Sequence, residues 1–321
     1  MSYQTGNALD VNDLLDRFRL FLLANGWAVN FWGDRAGGQG KALQVNKGGN
    51  FYSIFSNTFL DSANSNQPGP YMEVMLHSSY LTPGSATQPD GTRLLRSTRY
   101  TSPMQAYHFF AGDGPNGSYA YMVVETDPGT YRHLGIGVLH KIGAYAGGAF
   151  CYALSWYQAT GTVNSPDASQ HGVPFDDNGI PTTSINYPIG GTVIRADYGG
   201  ISPRYHYLDT GTTANPRGRG GWRNTNAERG TIALPVSAGA SILTGRAPLI
   251  PLWCAVERGS LLWSDIGYPP GMRFVRMDNM EPGQEYPLGT DTWVVFPVTR
   301  KNGSAGMPSS GVYGYAFRKE L

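Results

Sequence analysis

Charge is what this sequence has least of. Asp, Glu, Lys and Arg make up 15% of the 321 residues, against about 25% in typical domains. The 24 basic and 23 acidic residues leave a formal net charge of +1. That argues against a general nucleic-acid binder, which usually carries a basic excess, but leaves room for a ring with a locally charged lumen. Cysteine is nearly missing. Cys151 and Cys254 are too few for a disulfide framework. Each sits in an apolar run, Phe150-Cys151-Tyr152 and Trp253-Cys254-Ala255, so buried free thiols are expected, with a mutual disulfide or a reactive thiol as alternatives. No apolar run approaches the ~18 residues of a membrane-crossing helix, so no membrane insertion is expected. Residues 1–8 are polar, and Asp13, Asp16, Arg17 and Arg19 break the first apolar stretch. No secretory leader is read there, and a chain made and assembled in a cytosol-like compartment is expected.

Catalytic signatures are missing too. Gly-x-Ser-x-Gly, the phosphate-cradling Gly-x-x-x-x-Gly-Lys-Ser/Thr, His-Glu-x-x-His and Cys-x-x-Cys do not occur. Gly135-Ile136-Gly137 lacks the third glycine and the following helix of a dinucleotide site. Of the six histidines, only His133 and His140 lie close together, and seven residues within one strand put them on opposite faces. His108, in Tyr107-His108-Phe109-Phe110, reads as a packed histidine on an aromatic strand.

Ser169, His171 and Asp176 have the residue types of a hydrolytic triad, but nothing around them supplies an oxyanion hole. Asp176-Asp177-Asn178-Gly179 lacks the remaining ligands of a calcium loop. Glu257 and Asp265 flank Leu261-Leu262-Trp263, a pattern that suits a carbohydrate cleft or, more simply, a solvated hairpin. Arg217, Arg219 and Arg223, with Trp222 among them, would touch DNA phosphates if they faced a channel. No catalytic, cofactor-binding or metal-ligating residue is assigned, no cofactor is expected, and the chain is not read as an enzyme.

In place of charge the chain carries 43 Gly, 22 Pro and 20 Tyr. Weakly charged, Tyr-rich strands suit permanent protein–protein contact, because desolvating charge is costly and aromatic rings give large contact area. Val11, Leu14, Leu15, Phe18 and Leu22 follow one helical face, which predicts a helix over 11–25 capped by Asp10 and stopped by Asn25-Gly26. Trp27, Val29 and Phe31 alternate as a strand, and Lys47-Gly48-Gly49-Asn50 turns the chain into a second strand at 51–55. Further strands are expected at 71–76, 106–110, 119–126, 131–139, 149–157, 192–196, 252–258, 273–278, 292–299 and 311–318.

The fold expected is mainly β with an N-terminal helix (α+β), in β-sandwich or barrel-like subdomains. Residues 61–70 and 82–101 read as polar loops. The chain divides into 1–157, helix plus β domain; 158–230, a long loop or insertion; and 231–321, a C-terminal β segment that completes the same domain or forms its own.

The run Tyr107-His-Phe-Phe-Ala-Gly-Asp-Gly-Pro-Asn-Gly-Ser-Tyr-Ala-Tyr-Met-Val-Val-Glu-Thr-Asp-Pro-Gly-Thr-Tyr-Arg-His-Leu-Gly-Ile-Gly137 resembles one found in uncharacterised virion proteins of tailed bacteriophages. So does Asp13-Leu-Leu-Asp-Arg-Phe-Arg-Leu-Phe-Leu-Leu-Ala-Asn-Gly-Trp27. Asn279-Met-Glu-Pro-Gly-Gln-Glu285, Asp291-Thr-Trp-Val-Val-Phe-Pro297 and Ser310-Gly-Val-Tyr-Gly-Tyr-Ala-Phe-Arg-Lys319 are similar to their C-terminal end. The resemblance implies assembly: a virion-located structural subunit of a neck, collar, tail or baseplate. Its partners would be copies of itself in a ring-like homo-oligomer and other tail or neck proteins, with DNA contact if it lines a channel. A receptor- or glycan-binding tail protein is the alternative, and a tail-associated hydrolase the third class.

Overall fold

The computed structural model describes residues 3–58, 70–92, 94–98, 100–154, 174–175, 191–197, 204–207, 217–218, 247–257, 263–301 and 313–320. Strand β1 (Tyr3–Ala8) leads into helix α1 (Val11–Ala24), followed by β2 (Ala28–Asp34), β3 (Lys41–Lys47), β4 (Asn50–Asn57), β5 (Tyr71–His77) and β6 (Leu95–Thr98). Then come β7 (Met104–Gly114), β8 (Gly117–Asp127), β9 (Thr130–Val138), β10 (His140–Lys141), β11 (Ala146–Ala153), β12 (Gly191–Asp197), β13 (Arg204–Tyr207) and β14 (Arg217–Gly218). The C-terminal part holds β15 (Ile250–Pro251), β16 (Cys254–Glu257), β17 (Trp263–Tyr268), β18 (Met272–Arg276), β19 (Glu285–Leu288), β20 (Asp291–Pro297) and β21 (Tyr313–Lys319). The fold is mainly β, with one helix near the N-terminus among the described residues.

The helix forms where its periodicity says. The Asp10 carboxylate accepts from the Asn12 and Asp13 amides at 2.8 and 2.9 Å, which satisfies two otherwise unpaired first-turn donors. Gly26, at φ 76°, ends it in the left-handed conformation that glycine adopts freely. Val11, Leu14, Leu15, Phe18, Phe21 and Leu22 are buried.

The strands pair into open sheets. A central sheet runs β1-β7-β8-β9-β11-β12-β13, and a second runs β2-β3-β4-β5-β6. A third runs β15-β18-β21-β20-β19, and a smaller one β10-β17-β16-β14. The central sheet is buried on both faces. Met122, Val124, Leu134, Ile136, Cys151 and Val193 point to α1 and the second sheet. Alternate residues Tyr121, Val123, Tyr131, Phe150, Tyr152 and Ile194 point to the third and fourth sheets. This explains the continuous apolar run at 119–124, since strands covered on both faces lose the polar alternation. The architecture is therefore stacked sheets, and among the described residues each sheet order has two ends, as in a sandwich and unlike a barrel.

Several expectations change. The residues read as a polar opening form β1, an edge strand whose Thr5 Oγ1 donates to the Tyr107 carbonyl at 2.9 Å. One paired side and a small-residue sequence hide it from pattern. Between the helix and 51–55 lie two strands, β2 and β3, instead of one. The stretch 82–101 contains β6. The stretch 158–230, read as a long loop or insertion, holds β12, β13 and β14. Within that stretch β12 extends the central sheet, and Phe175 packs against Phe150 at 5.3 Å between ring centroids. The C-terminal segment shares its core with residues 110–196, so both build one body.

Candidate functional site

Most of the chemistry in the described residues lies between the layers, and tyrosine carries it. The Tyr52 hydroxyl donates to the Gly137 carbonyl at 2.8 Å, joining the second sheet to the central one. On the other face Tyr121 donates to Pro270 at 2.5 Å and Tyr315 to Pro174 at 2.8 Å. His133 lies 3.0 Å through Nε2 from the Pro297 carbonyl and stacks on Phe317. Each bond joins positions distant in sequence. Burial raises the pKa of Tyr52 and Tyr121, so both stay protonated donors at any ordinary pH. Among the described residues, seven of the 20 tyrosines bury fully inside the chain and not against a neighbouring subunit. Tyr52, Tyr100, Tyr107, Tyr119, Tyr121, Tyr152 and Tyr315 are fully buried inside the chain. A phenol brings both a large apolar area and a donor that reaches across a layer.

Gly135 and Gly137 serve this packing. A Cβ on Gly135 would land in the Tyr152 ring with Tyr121 Cδ1 2.7 Å away, and one on Gly137 would meet Tyr119 Cβ at 2.8 Å. The glycine pair is a lane for tyrosine rings within a strand. His133 and His140 are separated by more than face: they occupy β9 and β10, in different sheets. His108 is packed as expected, 4.7 Å from Phe296 and 3.0 Å through Nδ1 from the Tyr3 hydroxyl. Burial pushes the pKa of His108 down to about 4, and does the same for His133. Cys151 and Cys254 are buried free thiols, both held protonated by burial. Glu257 and Asp265 lie on a hairpin, with Asp265 exposed and opposite Ala255. Ser169, His171, Asp176, Asp177, Asn178, Arg219, Trp222 and Arg223 lie outside the described residues. Arg217 pairs in β14 with Ala255. Among the described residues no three His, Cys, Asp or Glu side chains gather into a metal site.

Two polar clusters had no sequence signal because their members meet only across strands. Ser53 Oγ lies 3.0 Å from His77 Nε2, and His77 Nδ1 lies 2.8 Å from the Ser79 carbonyl. The carbonyl can only accept, so Nδ1 carries the proton and the Ser53 hydroxyl donates to Nε2. Burial lowers the His77 pKa, which keeps it neutral. In type this is a nucleophile and a base. Yet Ser53 is wholly buried, and Gln44 bonds it to the loop carbonyls of Thr82 and Ser85 at 3.2 and 3.4 Å. The cluster staples the 78–92 segment onto the second sheet.

In the other cluster, buried Glu73 takes Arg96 at 2.7 Å through Oε1 and Arg35 at 2.7 Å through Oε2. The Arg35 contact lies off the hydrogen-bond axis, so charge attraction holds it. Phe55 and Tyr71 lie under the two guanidinium groups at 4.8 and 4.0 Å.

The surface offers two features. Leu20 and Leu23, one helical turn apart on α1, are 52% and 43% exposed, and Arg19 lies over the ring of neighbouring Trp32 at 5.2 Å. At the junction of the third and fourth sheets, Trp253, Tyr268, His140 and Arg273 form a partly exposed corner. No family model matches the chain, and no curated protein matches it.

Proposed function

We propose that this chain is a structural subunit of a tailed-phage virion, in a neck, collar, tail or baseplate, working through protein–protein contact. The observation that carries the reading is the set of buried side-chain ties, Tyr52, Tyr121, His133 and Tyr315, which bond side chains to carbonyls distant in sequence. A subunit that transmits load needs layers that do not slide, and directional bonds to carbonyls resist sliding where apolar packing alone does not.

The runs that resemble tailed-phage virion proteins support the same reading. Residues 107–137 are the β7–β9 centre of the middle sheet, 13–27 hold the helix, and 279–297 with 310–319 hold β19, β20 and β21. The exposed pair Leu20 and Leu23 gives the helix a second apolar side, suited to a neighbouring copy.

Mass spectrometry of purified tailed particles tests the location: the chain is expected in stoichiometric amount. Native mass spectrometry of the purified protein tests the contact: a closed ring is expected, and Leu20→Lys with Leu23→Lys is expected to leave folded monomers. A chain missing from particles, or monomeric at every concentration, overturns the reading.

A further inference from the structure

Among the described residues, every exposed or half-buried cation on the third sheet has a carboxylate partner except one. Arg276 pairs with Asp278, and Arg318 with Glu320 and Asp291. Lys319 reaches Glu285 at 2.6 Å. For Arg273, on β18, the hydrogen-bond acceptor among the described residues is the carbonyl of its own neighbour Met272, which accepts from Nη1 at 2.9 Å. No carboxylate among the described residues pairs with it. Yet it is half-buried, and Arg318 adds like charge nearby. A guanidinium partly stripped of water and given no counter-charge is costly, unless an anion comes from outside.

The surroundings narrow the kind of anion. The Arg273 guanidinium lies over the Tyr268 ring at 4.9 Å and the Trp293 ring at 5.3 Å. His140 stacks on Tyr268 at 4.7 Å and accepts or donates through Nδ1 at 3.1 Å to its hydroxyl. Trp253 stands against Tyr268 at 79°, with centroids 4.8 Å apart. Tyr268 is packed by Arg273, His140 and Trp253, and the partly exposed Trp253 ring at the rim suits a ligand with an apolar C–H face. The planar fork of an arginine suits a carboxylate bound through both oxygens. A phosphate would use the fork and leave the rings idle, while a neutral sugar would use the rings and leave the charge unpaired.

We infer that the corner formed by Arg273, Tyr268, His140 and Trp253 binds an acidic saccharide, with Arg273 on the sugar carboxylate and the Trp253 ring on its C–H face. It differs from the Glu257/Asp265 pattern of the sequence, since Tyr268 closes the other end of β17 and no bond is broken there. Binding by the isolated subunit and presence in a virion are separate readouts, so either proposal can fail alone.

The test is calorimetric titration of the full chain with short oligogalacturonates, neutral galacto-oligosaccharides of equal length, and inorganic phosphate. Only the uronate is expected to bind, more weakly as salt rises. Arg273→Gln is expected to weaken it about tenfold or more, and Arg273→Lys to fall between, because the ammonium keeps the charge and loses the fork. Absence of uronate binding, equal binding of the neutral sugar or phosphate, or uronate binding that survives Arg273→Gln overturns the proposal. Should Arg273→Gln lower the melting temperature, Trp253→Ala at the rim carries the test: uronate affinity unchanged in that variant overturns it equally.

Discussion

Toward α1 the central sheet presents Met122, Val124, Leu134, Ile136 and Val193, met by Leu14, Leu15, Leu22, Ile54, Val74 and Leu76. On its other face the same strands present Tyr119, Tyr121, Tyr131, Phe150 and Tyr152, met by Phe274, Phe296, Tyr315 and Phe317. The first interface is mostly aliphatic and filled by a helix. The second is mostly aromatic and carries hydroxyl and imidazole bonds from Tyr121, His133 and Tyr315 to carbonyls, where the first has the Tyr52 bond to Gly137. Aliphatic side chains fill space without direction, so that interface depends mainly on volume, with the Tyr52 bond as its directional tie. The aromatic interface depends on volume, on room for flat rings and on satisfied donors.

The largest expected effect lies on the aliphatic side. Phe18 is fully buried and meets Phe109 at 5.0 Å. Phe18→Ala should cost about 3–5 kcal/mol in urea unfolding, as a large cavity in a packed core does. A loss of only a few tenths would mean that the helix is not seated as described.

Acid should separate the faces next. His108 and His133 both belong to the aromatic side, packed on Phe296 and Phe317. Their folded pKa values lie near 4 through burial, below the ordinary 6.5. A depressed histidine favours the neutral form, so its full contribution is present above pH 6.5. It is lost as pH falls from 6.5 toward 4, while the unfolded chain takes up protons and the folded one does not. The slope approaches about 1.4 kcal/mol per pH unit for each group. Urea midpoints at pH 7 and pH 5 should therefore drop in the parent and drop less in His133→Phe. Equal drops would remove His133 from the account.

The two sides were unequally legible in the sequence. Helix α1 stood out because Val11, Leu14, Leu15, Phe18 and Leu22 share one face, and Asp10 and Gly26 mark its ends. Strands of the central sheet stood out as apolar runs between Gly-rich turns. Strand β1 did not, because an edge strand needs only one apolar face and Gly6 lies against the Tyr107 hydroxyl. The roles of Tyr121, Ser53 and Arg273 were not legible at all. Their partners Pro270, His77, Tyr268 and Trp293 are brought near by pairing and layer stacking, and no local spacing records that. For the same reason Gly135-Ile136-Gly137 could be tested against a nucleotide motif but not recognised as ring clearance.

That clearance gives a middle-sized effect. Gly135→Ala puts a methyl group into the space of the Tyr152 and Tyr121 rings. Overpacking should cost about 1–3 kcal/mol. Ala120→Gly, on the opposite face of neighbouring β8, should cost less, about 1 kcal/mol of backbone freedom, since nothing there needs room. Similar losses, with unchanged near-ultraviolet ellipticity in both, would deny that the aromatic side depends on flat glycine lanes.

The smallest effect is the sharpest, because it removes one oxygen atom from each of two neighbouring rings. Tyr121 and Tyr152 are both fully buried, 5.9 Å apart between centroids. The Tyr121 hydroxyl donates to the Pro270 carbonyl, whereas the buried Tyr152 hydroxyl has no hydrogen-bond partner among the described residues. Removing the first leaves a carbonyl without its donor, so Tyr121→Phe should cost about 1–2 kcal/mol. Removing the second relieves a desolvated polar atom, so Tyr152→Phe should be neutral or slightly stabilising. Apolar area and ring packing hardly change in either, so the difference between the two unfolding free energies isolates the interlayer bond. If both variants lose equally, the aromatic interface is held by ring volume alone. It would then differ from the aliphatic one in shape and not in kind.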